Sequence, residues 1–103
     1  MNFNIESTVK DNKLILMLSG ELDVYSTKKF KEEALEAYNN NKLNIKIDCN
    51  KLEYLDSTGL GALIFLLKTV KEDENSIEII NLNKQIMKLF KITKLDDIFK
   101  IRG

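Results

Sequence analysis

The segment Asp56-Ser57-Thr58-Gly59-Leu60-Gly61 carries the residues of this chain whose types and spacing best suit chemistry. It joins a predicted strand to a predicted helix, so Ser57 lies where a helix leaves backbone N–H groups unpaired. One interpretation makes Ser57 the helix N-cap, a hydrogen bond worth about 1 kcal/mol. The other makes it an accessible hydroxyl, because the helix dipole favours an added phosphate and two glycines leave room for a partner. The residues alone leave both interpretations open.

Two acidic residues bear on the second interpretation. Asp56 precedes Ser57 directly, and Asp23 lies in an earlier loop. Their negative charge opposes the ~1.5 to 2 charges of a phosphate, so phosphorylation would change this surface sharply. Asp23 is also suited to capping a helix that begins near Ser26, which is the structural alternative for an isolated loop acid.

The composition excludes several kinds of active site. The chain has no His and a single cysteine, Cys49, which rules out Ser-His-Asp and Cys-His catalysis within the chain and disfavours a zinc site built from its side chains. The glycine-bearing segment 56–61 also lacks the third glycine of a dinucleotide fingerprint and the Gly-Lys-Ser/Thr of a P-loop. We therefore expect no metal, no cofactor and no catalytic residue. An enzyme would have to use Asp23 and Asp56 as an acid and base pair.

The chain is expected to be a single domain spanning residues 1–103. It has 103 residues, and 16 basic and 16 acidic residues leave a formal charge of zero, so no nucleic-acid footprint is visible. The longest uncharged apolar run, Leu60 to Leu67, is less than half of the ~20 residues that span a bilayer. No signal peptide is apparent after Met1. We expect a cytoplasmic protein that binds neither membranes nor nucleic acid directly.

The apolar pattern predicts a hairpin at the beginning of the chain. Ile5, Ser7 and Val9 alternate with polar residues, and the pair Asp11-Asn12 forms a turn before the apolar run Leu14 to Leu18. This run is apolar at every position, which favours a central strand covered on both faces. The strand is predicted to end at Ser19-Gly20.

Strands and helices are then predicted to alternate. A helix capped by Ser26 or Thr27 ends at 39–41, a strand covers 43–47, a helix follows 56–61, a strand covers 77–80, and a helix begins after Asn83. A last helical turn is placed around 95–99. The order β-β-α-β-α-β-α-α predicts an α/β fold with one mixed sheet, in which an N-terminal hairpin is followed by parallel strands packed with α-helices.

Other residues have a structural and a functional interpretation. Cys49 suits a small packing residue better than a redox sensor, because no basic neighbour in sequence would stabilise a thiolate. Three residues lie off the main apolar stripe of the second helix: Ala62, Phe65 and Leu66. We favour a second buried face for them over exposed contacts to a partner. A solvated helix face is expected for Lys84, Lys88 and Lys91.

Three segments carry a resemblance to a known family. Gly20 to Ser26, Tyr54 to Gly61, and Leu89 to Ile98 are similar to the three signatures of STAS domains, specifically those of stand-alone bacterial anti-sigma factor antagonists. The forms Glu-Leu-Asp-Val-Tyr-Ser and Asp-Ser-Thr-Gly-Leu-Gly resemble the antagonists of the general-stress system most, and those of sporulation next. Lys94 stands where a glycine is common in the family, which bears only on a local turn.

The resemblance implies a regulatory protein that works by partner switching. The unphosphorylated antagonist would bind an anti-sigma factor that is also a serine/threonine kinase and so free a sigma factor. The kinase would phosphorylate Ser57, and a serine phosphatase would act on phospho-Ser57. By position in the motifs, the partner-binding residues would be Asp23, Asp56, Ser57, Thr58, Gly59, Leu60 and Gly61. An alternative that the resemblance also allows is a STAS accessory subunit of a lipid or anion transport system.

Overall fold

A computed structural model of the chain describes residues 2–102, and in them one sheet of five strands carries the helices. The strands are β1 (Phe3–Lys10), β2 (Lys13–Leu22), β3 (Ile45–Leu55), β4 (Ile77–Ile80) and β5 (Lys100–Arg102), and they lie in that order across the sheet. The helices are α1 (Thr27–Asn41), α2 (Ser57–Lys71) and α3 (Lys84–Ile92), and a short 3-10 helix covers Leu95–Asp97. The predicted α/β fold with a mixed sheet is confirmed.

The N-terminal hairpin forms as predicted. β1 and β2 pair antiparallel from Phe3 opposite Gly20 to Lys10 opposite Lys13. Asp11 and Asn12 between them have φ angles of 54° and 63°. Asp and Asn tolerate this left-handed conformation best among residues with a side chain, and it matches the twist of the two strands.

Two strands extend further than predicted. β2 continues past Ser19-Gly20 to Leu22, and β3 continues to Leu55, directly before the segment of interest. The parallel pairing of β2 with β3 shifts register between Met17 and Ser19 and again between Gly20 and Glu21. These irregularities interrupt the alternation of apolar residues, which is why the pattern understates both strands.

The sheet is covered on one face rather than two at β2. Leu14, Leu16 and Leu18 point into the core and are at most 1% exposed, whereas Met17 on the opposite face is 37% exposed. The prediction of a strand covered on both faces is therefore wrong. That opposite face also carries Glu78, whose carboxylate pairs with the Arg102 guanidinium at 2.7 Å. Apolar side chains on an open sheet face look the same in sequence as buried ones.

The C-terminal segment is the least accurately predicted. Asn83 caps α3 as expected, its side chain accepting a hydrogen bond from the Ile86 N–H at 2.9 Å. The strand β5 was not expected, because three residues with one apolar side chain give no periodic signal. Lys94 has a φ of 60°, the left-handed conformation that favours glycine.

The helices α1 and α2 are joined at their C-terminal ends. The hydroxyl of Tyr38 in α1 donates to Oδ2 of Asp73 at 2.8 Å and accepts from the side-chain amide of Asn75 at 2.8 Å. Since a buried hydroxyl is costly without partners, this network fixes how the two helices lie against each other. It thereby helps to position the N-terminal end of α2.

Candidate functional site

The N-terminus of α2 is capped by Asp56 and not by Ser57. Asp56 has an extended backbone, with φ −109° and ψ −174°, and its Oδ1 accepts the Gly59 N–H at 2.9 Å. Ser57 is the first helical residue, and it is exposed. The N-cap interpretation of Ser57 is therefore wrong, and the fold places no capping bond on its hydroxyl.

The loop between β2 and α1 holds Asp23 in a buried position. Asp23 is 7% exposed, and its Oδ1 accepts the Tyr25 N–H at 2.9 Å. Ser26 donates its hydroxyl to the Glu21 carbonyl at 2.7 Å and accepts the Asp23 N–H at 2.9 Å. Its side chain makes no capping bond to α1, so the predicted side-chain cap at Ser26 is not formed. These bonds instead fix the shape of the loop.

Contacts at Leu22 bring this loop to the start of α2. The Leu22 carbonyl, one residue before Asp23, accepts the Asp56 N–H at 3.4 Å. A Cβ at Gly59 would collide with the same carbonyl oxygen and would lie 2.6 Å from Cδ1 of Leu55. Gly59 therefore permits the first turn of α2 to pack against the end of β2. The two acidic segments predicted from sequence are neighbours in the structure for this reason.

The predicted partner-binding residues divide into exposed and buried ones. Ser57, Thr58 and Gly61 are exposed, and Asp56 is half-buried. Gly59 and Leu60 are buried, Leu60 being 5% exposed in the core. In this structure the buried pair positions the helix, and the exposed residues form the surface around the Ser57 hydroxyl.

Exposed apolar side chains lie in the segments beside this surface, and the sequence pattern does not mark them as functional. Val24 is 59% exposed, Tyr25 is 79% exposed, and both lie in the loop that contains Asp23. Tyr54, 49% exposed, lies at the end of β3. An aromatic residue close to a loop acid, such as Tyr25 after Asp23, could have indicated a contact surface. Whether such a side chain is exposed depends on the tertiary structure, which the sequence pattern does not specify.

The second helix also departs from expectation at one position. Ala62 and Leu66 are buried, as the favoured interpretation required, whereas Phe65 is 40% exposed. The Nζ atom of Lys31 in α1 lies 5.0 Å from the centroid of the Phe65 ring, a cation–π distance. The prediction of a buried face is therefore wrong for Phe65.

The start of α2 presents the exposed side chain of Ser57 beside two acidic residues that are already hydrogen-bonded. In the described residues, no group of three or more metal-ligating side chains comes together. The side chains of Asp23 and Asp56 both accept backbone hydrogen bonds, which occupies one oxygen of each. Burial, followed by the charge of Asp48, raises the pKa of the Cys49 thiol to about 12, which suits a packing role. Among the helices of residues 2–102, none is long and apolar enough to cross a membrane.

Comparison with known proteins gives the family. The STAS domain family matches residues 4–103. The chain is 35% identical over 105 residues to an anti-sigma-B factor antagonist of Listeria monocytogenes, covering 100% of this chain and 91% of that protein. It is 32% identical over 101 residues to one of Staphylococcus aureus, covering 98% of this chain and 94% of the relative.

Solved structures show the same fold. An anti-sigma factor antagonist from Mycobacterium paratuberculosis superposes with a TM-score of 0.88 at 16% identity, covering 99% of this chain and 86% of the other. The unphosphorylated anti-sigma factor antagonist SpoIIAA superposes with a TM-score of 0.74 at 17% identity, covering 99% and 88%. With the match over residues 4–103 and the full-length relatives above, the chain belongs to the STAS domain family.

Proposed function

We propose that this protein is an anti-sigma factor antagonist that works by partner switching. In its unphosphorylated form it binds an anti-sigma factor that is a serine/threonine kinase, and this binding frees a sigma factor. The kinase phosphorylates Ser57, which releases the complex, and a serine phosphatase restores the hydroxyl. The protein itself acts as a regulatory binding module and not as an enzyme.

The exposed hydroxyl of Ser57 is the observation that carries the proposal. Asp56 supplies the N-cap, so Ser57 is free for a partner, and the surrounding segment is the motif that resembles the family's phosphorylation site. Ser26, in the neighbouring motif, is 8% exposed and its hydroxyl is hydrogen-bonded internally. The full-length relatives named anti-sigma-B factor antagonists support the same function.

The electrostatics of the site support a switch based on charge. A phosphate on Ser57 lies at the positive end of α2, which stabilises the anion within this chain. Asp56 is adjacent, and Asp23 lies in the loop packed against the same turn. The added negative charge therefore acts mainly on a bound partner, where unfavourable juxtaposed charges can cost several kcal/mol.

The test mixes the purified protein with the serine kinase anti-sigma factor of its own organism. With ADP, we expect a stable complex in size-exclusion chromatography. With ATP, intact mass should show one added phosphate, mapped to Ser57 by tryptic peptides, and the complex should dissociate. The Ser57→Ala variant is the matched control, since it should bind without being phosphorylated.

Two results would contradict the proposal. Phosphate mapped to Thr58, or persisting in Ser57→Ala, would remove Ser57 as the modified residue. Failure of the unphosphorylated protein to bind any kinase-type anti-sigma factor would remove the partner switch, and the accessory role in lipid or anion transport would then be the next to examine.

A further inference from the structure

We propose that the open face of the sheet carries a second docking surface, for an acidic segment of a partner protein, at the end of the strands remote from Ser57. This surface is a cluster of basic side chains, the basic patch, which consists of Lys10, Lys13, Lys46, Lys100 and Arg102. The inference goes beyond the proposed function and does not depend on it.

Glu78 of β4 lies at the centre of the basic patch. Its carboxylate lies 2.7 Å from Nε of Arg102, 3.9 Å from Nζ of Lys13 and 4.0 Å from Nζ of Lys46. These contacts bring cations of β2, β3 and β5 together, and they leave the Glu78 side chain only 11% exposed. Because one carboxylate cannot balance three cations, this part of the open face keeps an excess of positive charge.

Two more lysines widen the basic patch. Lys10 lies directly opposite Lys13 in the hairpin, and Lys100 lies directly opposite Glu78 in the pairing of β4 with β5. Residues opposite each other in register point to the same face, so both lysines belong to the open face. Both are exposed, and neither forms an ion pair with another of residues 2–102. Like charges placed opposite each other destabilise a sheet, so the fold itself gives no reason for the pair of Lys10 and Lys13.

The neighbouring side chains favour a protein segment over other polyanions. Met17 is 37% exposed on this face, and Ile15 is half-buried opposite Lys46. Glu6 and Asp48 flank Met17 on the adjacent strands. These carboxylates would repel the closely spaced phosphates of a nucleic acid or an anionic membrane. A peptide can instead place acidic side chains over the lysines and an apolar side chain against Met17.

The basic patch is remote from the Ser57 surface. Lys46 is the second residue of β3, whereas Ser57 follows the last residue of that strand, Leu55. At about 3.3 Å per residue, the strand from Lys46 to Leu55 spans about 30 Å. Charges that far apart are screened at physiological salt, where the Debye length is about 8 Å. A segment bound at the basic patch therefore leaves Ser57 accessible, and a charge added at Ser57 does not change its affinity.

The test measures binding of the full chain to a fluorescein-labelled acidic peptide, EELEELEE, by fluorescence anisotropy, with QQLQQLQQ as the uncharged peptide. We expect only the acidic peptide to bind, and its affinity should fall at least about tenfold between about 50 mM and about 500 mM salt. Lys10→Glu and Lys100→Glu should each weaken binding about fivefold. Both lysines are exposed, so the variants should keep the fold, which circular dichroism checks.

Two control variants decide where the peptide binds. Lys88→Glu, on the exposed side of α3, changes the net charge equally and should leave the affinity within about twofold of the wild type. Ser57→Asp should also bind the peptide as the wild type does. An equal loss for Lys88→Glu would mean that only the net charge matters, and a loss for Ser57→Asp would place the peptide at the Ser57 surface. Either result would overturn the inference.

The class of partner is tested with the same variants. A DNA duplex and phosphatidylserine vesicles replace the peptide, and both should bind more weakly than it does. Tighter binding of either one, weakened by Lys10→Glu, would assign the basic patch to that polyanion and overturn the proposal of a protein segment. Failure of the acidic peptide to bind would overturn this inference alone, because the proposed function is tested at Ser57 with a different partner.

Discussion

The Gly59 N–H donates to Oδ1 of Asp56 at 2.9 Å, and this bond determines what Ser57 is free to do. Had the Ser57 hydroxyl capped α2, its phosphorylation would have removed a bond from the fold itself. With the capping role on Asp56, the proposed modification of Ser57 would change the surface and leave the helix start intact. Under the proposed function, stability and regulation would thus depend on adjacent residues.

Alanine substitutions at these two neighbours should separate the two roles. Asp56→Ala should lower the free energy of unfolding by about 1 kcal/mol, the usual cost of losing an N-cap. Ser57→Ala should stay within about 0.5 kcal/mol of the wild type, as exposed substitutions away from such bonds do. Urea unfolding followed by circular dichroism measures both. A greater loss for Ser57→Ala than for Asp56→Ala would contradict the capping assignment.

Gly59 should be the glycine of α2 on which the fold depends. In Gly59→Ala, the new methyl group collides with the Leu22 carbonyl, which is backbone and has little freedom to move. Overpacking of this kind costs about 1 to 3 kcal/mol, so the midpoint of thermal unfolding should fall clearly. Gly61→Ala is the control in the same helix, and its thermal midpoint should not fall. Equal midpoints for the two variants would show that the contact between α2 and the end of β2 has room for a methyl group at position 59.

The long, regular patterns of the sequence predicted most of the fold. The hairpin turn at Asp11-Asn12 was correct because Asp and Asn tolerate the positive φ angles found there. The cap at Asn83 was correct because an Asn side-chain oxygen can accept an N–H group of the first helical turn. The strand β5 and the full length of β3 were not predicted. Their formation depends on pairing with distant strands, which local periodicity does not contain.

The site was predicted in its location more than in its details. The segment 56–61 was recognised as accessible, but Asp56 and Ser57 are both good N-caps by type. Only the extended backbone at Asp56 decides between them. Similarly, Phe65 is 40% exposed with Lys31 of α1 against its ring, and the apolar pattern of α2 alone does not contain how α1 packs beside it.

The buried thiol of Cys49 should make stability depend on alkaline pH. Its pKa is raised to about 12 from 9.0, chiefly by burial, so the folded state favours the neutral thiol. The resulting contribution to the free energy of unfolding is complete below pH 9.0 and is lost as the pH rises towards about 12. The difference in stability between wild type and Cys49→Ala, measured by urea unfolding across this range, should shrink accordingly. A constant difference would contradict the raised pKa.

Phosphorylation of Ser57 should release the partner without unfolding this chain. The helix dipole and the unpaired N–H groups of the first turn accommodate an anion, and the Ser57 hydroxyl contributes no capping bond that phosphorylation would remove. We therefore expect the far-UV spectrum and the cooperativity of melting to stay nearly unchanged, while affinity for the kinase falls at least about a hundredfold. The affinity of Ser57→Asp for the kinase should fall less, because one carboxylate carries less charge than a phosphate. Calorimetry and thermal melts on the same samples measure both properties, with Ser57→Ala as the neutral control. Loss of the cooperative melt on phosphorylation would mean that release proceeds through local unfolding, and repulsion at an intact surface would then be the wrong mechanism.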